Sequence, residues 1–136
     1  ASACQEDAIH DHPETGEPIF FPDKCLYCAD CIRACPTEAW VSGKTGHIVR
    51  IGGKHGRHPF KGSVVAKFVS DEDVPAIIEK TVEWYNKHGQ GKGRIRIGTL
   101  LREEGMMQSY MAHMKDVFKD KAVKDPKPPL EIDIQE

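Results

Sequence analysis

No stretch of the sequence is long and apolar enough to cross a bilayer as a helix, so no transmembrane helix is implied. The N-terminus, Ala-Ser-Ala-Cys-Gln-Glu-Asp, has neither the basic nor the apolar stretch of a signal peptide. It also has no initiator methionine, and the chain is expected to be a processed product or a fragment. Neither sign of charge dominates. The 19 Lys and Arg face 21 Asp and Glu, a net charge of −2, so no global field argues for nucleic acid or a membrane surface as partner. The five cysteines are an odd number, which does not suit a closed disulfide framework. The glycine-rich Gly89-Gln90-Gly91-Lys92-Gly93 lacks the G-x4-G-K-[S/T] pattern of a phosphate-binding loop and reads as a linker.

What the sequence does have is a tight cysteine cluster. Cys25, Cys28, Cys31 and Cys35 fall in C-x2-C-x2-C-x3-C-P, closed by Pro36, which is the run of bacterial ferredoxins. Two-residue gaps let one loop present three thiolates to three corners of a cuboidal cluster. Zinc sites more often pair two short knuckles far apart. A [4Fe–4S] cluster is therefore the expected cofactor. Its thiolates must stay reduced until they meet iron, which makes a reducing cytoplasm the expected compartment.

The fifth cysteine belongs to a short internal repeat. Cys4-Gln5-Glu6-Asp7-Ala8-Ile9 matches Cys35-Pro36-Thr37-Glu38-Ala39-Trp40: a Cys, an acid before an Ala, then a large apolar residue. In two-cluster ferredoxins the fourth Cys of one run ligates the other cluster. By that rule Cys4 completes the site of Cys25, Cys28 and Cys31, and Cys35 serves a second cluster. The alternative keeps Cys25, Cys28, Cys31 and Cys35 on one cluster and leaves Cys4 a free thiol. Gln5 stands where Pro follows the fourth Cys of a complete run.

Beyond the cysteines the pattern is α+β. Residues 1–45 form the ferredoxin segment, with its first half truncated. Residues 46–118 read as a small α+β half-domain, and 119–136, with Pro126, Pro128 and Pro129 among charges, as an extended tail. Strands are expected at 48–52 and 64–69, and helices at about 71–88, 95–104 and 106–118. In the first helix Val74, Ile77, Ile78, Thr81, Val82 and Tyr85 follow the i, i+3, i+4, i+7 rule and are expected to be buried. Met107, Met111 and Met114 recur at helical spacing and read as core. Trp40 reads as a buried anchor, and His10 and His12, flanking Asp11, as solvated histidines.

Lys54, His55, Arg57, His58 and Lys61 make a basic, glycine-punctuated loop. Composition reads equally as an anion-recognising loop and as a solvated one. Here a family resemblance enters. Ile51-Gly52-Gly53-Lys54-His55-Gly56-Arg57-His58-Pro59 resembles the G-G-K-x-G-R-x-P segment that follows the inserted ferredoxin domain of anaerobic and dissimilatory sulfite reductases. The helix running into Trp84-Tyr85 and the Gly-Arg-Ile-Arg-Ile-Gly-Thr-Leu-Leu-Arg-Glu-Glu-Gly stretch are also similar to that family's C-terminal portion.

The resemblance implies a piece of an oxidoreductase that reduces sulfite to sulfide, or nitrite to ammonia, at a sirohaem coupled to a [4Fe–4S] cluster. It also implies a cofactor-facing role for Lys54, Arg57, His58 and Lys61. That family's sirohaem-linked cluster is held by C-x5-C … C-x3-C. This sequence has no C-x5-C, and its one C-x3-C, Cys31 to Cys35, lies inside the ferredoxin run. The catalytic centre is therefore expected from sequence outside this chain. The expected partners are the remainder of the reductase or other subunits and an electron donor, with sulfite or nitrite as substrate of the complete enzyme. A stand-alone ferredoxin-like carrier or redox subunit is the alternative.

Overall fold

A computed structural model of the chain describes residues 2–132. It divides into two compact units, Ala1–Lys44 and Thr45–Glu136.

The first unit is small and sparsely cored. Strands β1 (Ile9–Asp11) and β2 (Pro18–Phe20) pair antiparallel, with Ile9 opposite Phe20 and His10 opposite Ile19. The connection closes where the His12 amide donates to the Glu17 carbonyl at 2.7 Å. Gly16, at φ +70°, makes the reversal there that other residues resist. The cysteine loop follows and leads into one helical turn, α1 (Asp30–Arg33). Among the described residues of this unit only Ala8 and Ile9 are buried apolar side chains. Ile19, Phe20, Phe21, Leu26, Tyr27 and Val41 are exposed. Trp40 is half-buried rather than fully buried, and its ring meets that of Phe20 edge-on at 6.0 Å.

The second unit has a core of its own. Strands β3 (His47–Ile51) and β5 (Ser63–Val69) pair antiparallel, with register shifts on either side of Val49. Phe68 sits at φ +59° within β5, and this left-handed residue accompanies the irregular pairing. Between them β4 (Phe60–Lys61) starts the return of the basic loop. A 3-10 turn, Asp71–Asp73, precedes α2 (Val74–Gly89), and Pro75 is tolerated in its first turn because that amide has no helical acceptor.

Helix α2 is the main element over the sheet. Its inward stripe is Ile77, Thr81 and Trp84, whereas Ile78 and Val82 are 58% and 51% exposed. The expected burial of Ile78 and Val82 is thus corrected: one position round the helix is a turn of about 100°, enough to move a side chain off the core face. Trp84 anchors the packing instead. Its Nε1 donates to Ser109 Oγ at 3.1 Å and its ring meets Tyr110 edge-on at 5.3 Å. Helix α3 is only Ile97–Leu100, because Arg96 is extended at ψ 144°. The expected helix at 106–118 is present as α4 (Met106–His113) and α5 (Lys115–Phe118), separated at Met114. Met107 and Met114 are buried in the core with Tyr110 and Phe118.

After α5, a 3-10 turn at Lys119–Lys121 and strand β6 (Leu130–Glu131) belong to the same unit. Strand β6 pairs antiparallel with β4, and the Val123 amide donates to the Val65 carbonyl at 2.9 Å.

Candidate metal centre

The cysteine loop is bent by backbone that ordinary residues avoid. Tyr27 lies at φ +56° and Ala29 at φ +64°. For residues with a Cβ such conformations cost on the order of 1–3 kcal/mol each and persist where the surroundings demand them. Their effect is to fold the chain back on itself and turn amides inward, the kind of backbone concavity that accommodates anionic clusters. Two amides already serve sulphur. Tyr27 N–H donates to Cys25 Sγ and Ala8 N–H donates to Cys4 Sγ, both at 3.3 Å. Such N–H···S bonds favour thiolate over thiol and adjust the potential of a bound cluster.

The structure brings Cys4, Cys25, Cys28 and Cys31 to the wall of one cavity of about 120 Å³, with Ala8, Ile9 and Leu26 as apolar lining. Cys4 is more than twenty positions from the loop in sequence, and it arrives there because Ala8 and Ile9 lead into β1. Cys35 does not border that cavity. With Cys31, Pro36 and Trp40 it lines a second one of about 220 Å³, which shares Cys31 and Ile9 with the first. Hydrogen bonds from the Trp40 backbone, the Thr37 hydroxyl and the Thr37 and Ala39 amides bring the Cys35 thiol down to about 7. Asp30 is held below the usual carboxylate range by a hydrogen bond with Cys28 and by the Arg33 guanidinium beside it. Among the described residues no three His, Cys, Asp or Glu side chains converge as they do on a single ion. Four cysteines on the wall of one cavity match in number the four corners of a cuboidal cluster.

The basic-loop residues lie in the second unit. Lys54 and Phe60 exchange backbone hydrogen bonds of 3.1 and 2.8 Å, which close the loop at its base. Lys54 Nζ stands 4.2 Å from the Phe60 ring centroid, with the Arg102 guanidinium 4.6 Å from the same centroid. His55, Arg57, His58 and Lys61 are exposed, and His58 Nδ1 lies 3.6 Å from Glu131 Oε1. His10 is exposed and His12 half-buried, in the first unit. One cation that the motifs did not single out, Arg96, shares a cavity with Lys54. Its signal is the alternation Arg94-Ile95-Arg96-Ile97, a period of two that puts both arginines on one side of an extended segment.

The family model of the nitrite and sulphite reductase 4Fe-4S domain matches residues 9–118. The chain belongs to this family. No curated protein matches it. The match takes in the Cys25–Cys35 run, the basic loop and helices α2 to α5 of this nitrite and sulphite reductase-type domain, and it begins after Cys4. Membership brings a [4Fe–4S] cluster and an electron-transfer role. No helix among the described residues is long and apolar enough to cross a membrane.

Proposed function

We propose that this chain is the electron-relaying iron–sulphur portion of a sulfite reductase, with nitrite as the other substrate of its class, and that it serves a sirohaem held mostly by sequence outside it. Cys4, Cys25, Cys28 and Cys31 are the ligands of its cluster in this reading, and Cys35 is the donor to a second. The cluster supplies single electrons when bound. The chain's own residues do the rest. The Tyr27 and Ala8 amides bond the ligand sulphurs, and Leu26, Ala8 and Ile9 limit water at them. Lys54, Arg57, His58 and Lys61 supply the positive charge that would hold the carboxylates of sirohaem or a sulfite anion. Partners follow from the same reading: the rest of the reductase and an electron donor.

The observation that carries the proposal is the weakness of the first unit without a metal. With two buried apolar residues among those described, a unit of this size has little core, and near roughly 40 residues metals or disulfides usually supply the difference. The cavity bordered by four cysteines is where such a staple would sit.

The test is anaerobic reconstitution with iron and sulfide, followed by iron analysis and visible absorption. Cys4→Ala should lose the cluster with Cys25→Ala, while Cys35→Ala should keep it. A cluster that survives Cys4→Ala and is lost in Cys35→Ala would mean four contiguous ligands and an incidental Cys4. Zinc without iron in an anaerobic preparation would end the cluster reading.

A further inference from the structure

The family match ends at residue 118, yet the segment that follows is built into the second unit. Ala122 bridges to Ala66, the Val123 amide donates to the Val65 carbonyl, and the Ser63 hydroxyl donates to the Lys127 carbonyl, so the segment runs along β5. It then crosses to β4. Strand β6 sets Glu131 opposite Phe60 and Leu130 opposite Lys61, and the Ile132 amide donates to the Pro59 carbonyl at 2.9 Å. Burial does not explain this last stretch, because Leu130 and Ile132 are 69% and 46% exposed. Backbone pairing fixes it, and the pairing brings the Glu131 carboxylate to the basic loop.

Glu131 meets two cationic side chains there. Its Oε2 lies 3.2 Å from an Arg102 terminal nitrogen and its Oε1 lies 3.6 Å from His58 Nδ1. Arg102 in turn stands 4.6 Å from the Phe60 ring centroid, and Lys54 stands 4.2 Å from the same centroid. His58 adds charge to the group only while its ring is protonated. A guanidinium donates and never accepts, so an anion arriving from outside seeks the same N–H groups that Glu131 holds. The tethered carboxylate has the advantage of being placed in advance by the strand that carries it. Both Glu131 and Arg102 are about 40% exposed, so that advantage is small and reversible.

We propose that Glu131 is an internal anion, seated beside the basic loop by the C-terminal strap of residues 122–132, and that an external anion reaches Arg102 and His58 by displacing it. The strap is an autoinhibitory contact: it lowers the loop's affinity for anions in general and is released by those that bind well enough to compete. The proposal rests on the reading of the basic loop as anion-recognising and is independent of the cluster, so loss of the cluster reading leaves it standing.

The probe is inorganic sulfate, titrated into the full chain at constant ionic strength and followed by amide chemical shifts at Lys54, Arg57, His58 and Phe60. Glu131→Gln keeps the size of the side chain and the pairing of β6 but removes the charge. It should tighten sulfate binding by about twofold to fivefold, the range that one exposed charge pair supports. Glu103→Gln is the control. It removes the same charge from the pair with Lys92 and should leave the loop's affinity unchanged. Both side chains reach solvent, so unchanged Trp84 fluorescence and melting will show the variants folded. An affinity in Glu131→Gln equal to or below that of the parent would overturn the inference and leave the basic-loop reading in place. An equal gain in Glu103→Gln would also overturn it, because net charge alone would then account for the effect. Sulfate that shifts no loop amide in any of the three chains would remove the inference and the basic-loop reading together.

Discussion

Replacing Gly98 by alanine sets two effects against each other. Gly98 lies in α3, and helix propensity alone expects the change to stabilise by up to about 1 kcal/mol. Contact geometry expects the reverse. A Cβ on Gly98 would lie 2.2 Å from the Gly52 carbonyl oxygen and 3.0 Å from its carbonyl carbon. Those atoms are backbone at the end of β3, and they cannot swing aside as a side-chain tip can. Gly52 is itself at φ +79°, and Pro129 and Leu101 occupy the space where its own Cβ would lie, so there is little room for relief on that side. Overpacking of this kind costs roughly 1–3 kcal/mol or more, and a single-turn helix gains less than the full propensity difference. The net expectation is a loss of about 2 kcal/mol. With an m-value of about 1–2 kcal/mol/M, the urea midpoint of the second unit should fall by about 1–2 M. Fluorescence of the buried Trp84 reports it, with Trp40 replaced by Phe to remove the other indole. Gly53→Ala is the control, because its Cβ would meet nothing nearer than 3.6 Å and the midpoint should barely move. A Gly98→Ala midpoint equal to or above that of the parent would refute the close approach of α3 to β3.

Two further outcomes are expected beside the cysteine experiments. Removal of iron should abolish hydrogen-exchange protection at the β1–β2 amides of Ile9, His10 and Phe20 while Trp84 fluorescence and its melting transition stay unchanged; protection that survives in the metal-free chain would show that the first unit stands without a metal. Asp73 accepts hydrogen bonds from Lys121 and from Ser70, and Lys121 foremost holds its carboxyl below the usual range. A depressed folded value adds stability above the ordinary Asp value of about 4, and this is lost as pH falls through the folded value. The drop in melting temperature between pH 5 and pH 3 should therefore be smaller in Asp73→Asn than in the parent, and an equal drop would remove Asp73 from the account.

What was legible in the sequence was what depends on near neighbours. The C-x2-C-x2-C-x3-C-P run can be read without a fold, because ligand spacing is set by the chain itself. Helix α2 was legible from its period, and the methionines at 107 and 114 from theirs. The face of α2 was drawn too wide, since Ile78 and Val82 fit the same template as Ile77 and Thr81; only the position of Trp84 over Ser109 and Tyr110 fixes which stripe points inward. The shortness of α3 was hidden for a similar reason. The Ile95 carbonyl is engaged by the Tyr85 hydroxyl, ten residues back, and no local propensity reports that. The pairing of β6 with β4 and the meeting of Gly52 with Gly98 are equally non-local.

The candidate site inverts the usual relation between fold and motif. In the second unit, Trp84, Tyr110, Phe118 and Leu100 fill a core that stands on burial alone, and its cavity is seen only after folding brings Lys54 and Arg96 together. In the first unit burial supplies almost nothing, and the loop holds Tyr27 and Ala29 in conformations that are costly by themselves. A costly loop on a weak core gains most from something that binds it, and four cysteines are among the residues lining that loop's cavity. In the proposed reading, ligand chemistry there takes the place of side-chain packing. The residues that specify function and those that specify local structure are then the same few cysteines, which is why that part of the chain could be read from its sequence while its tertiary contacts could not.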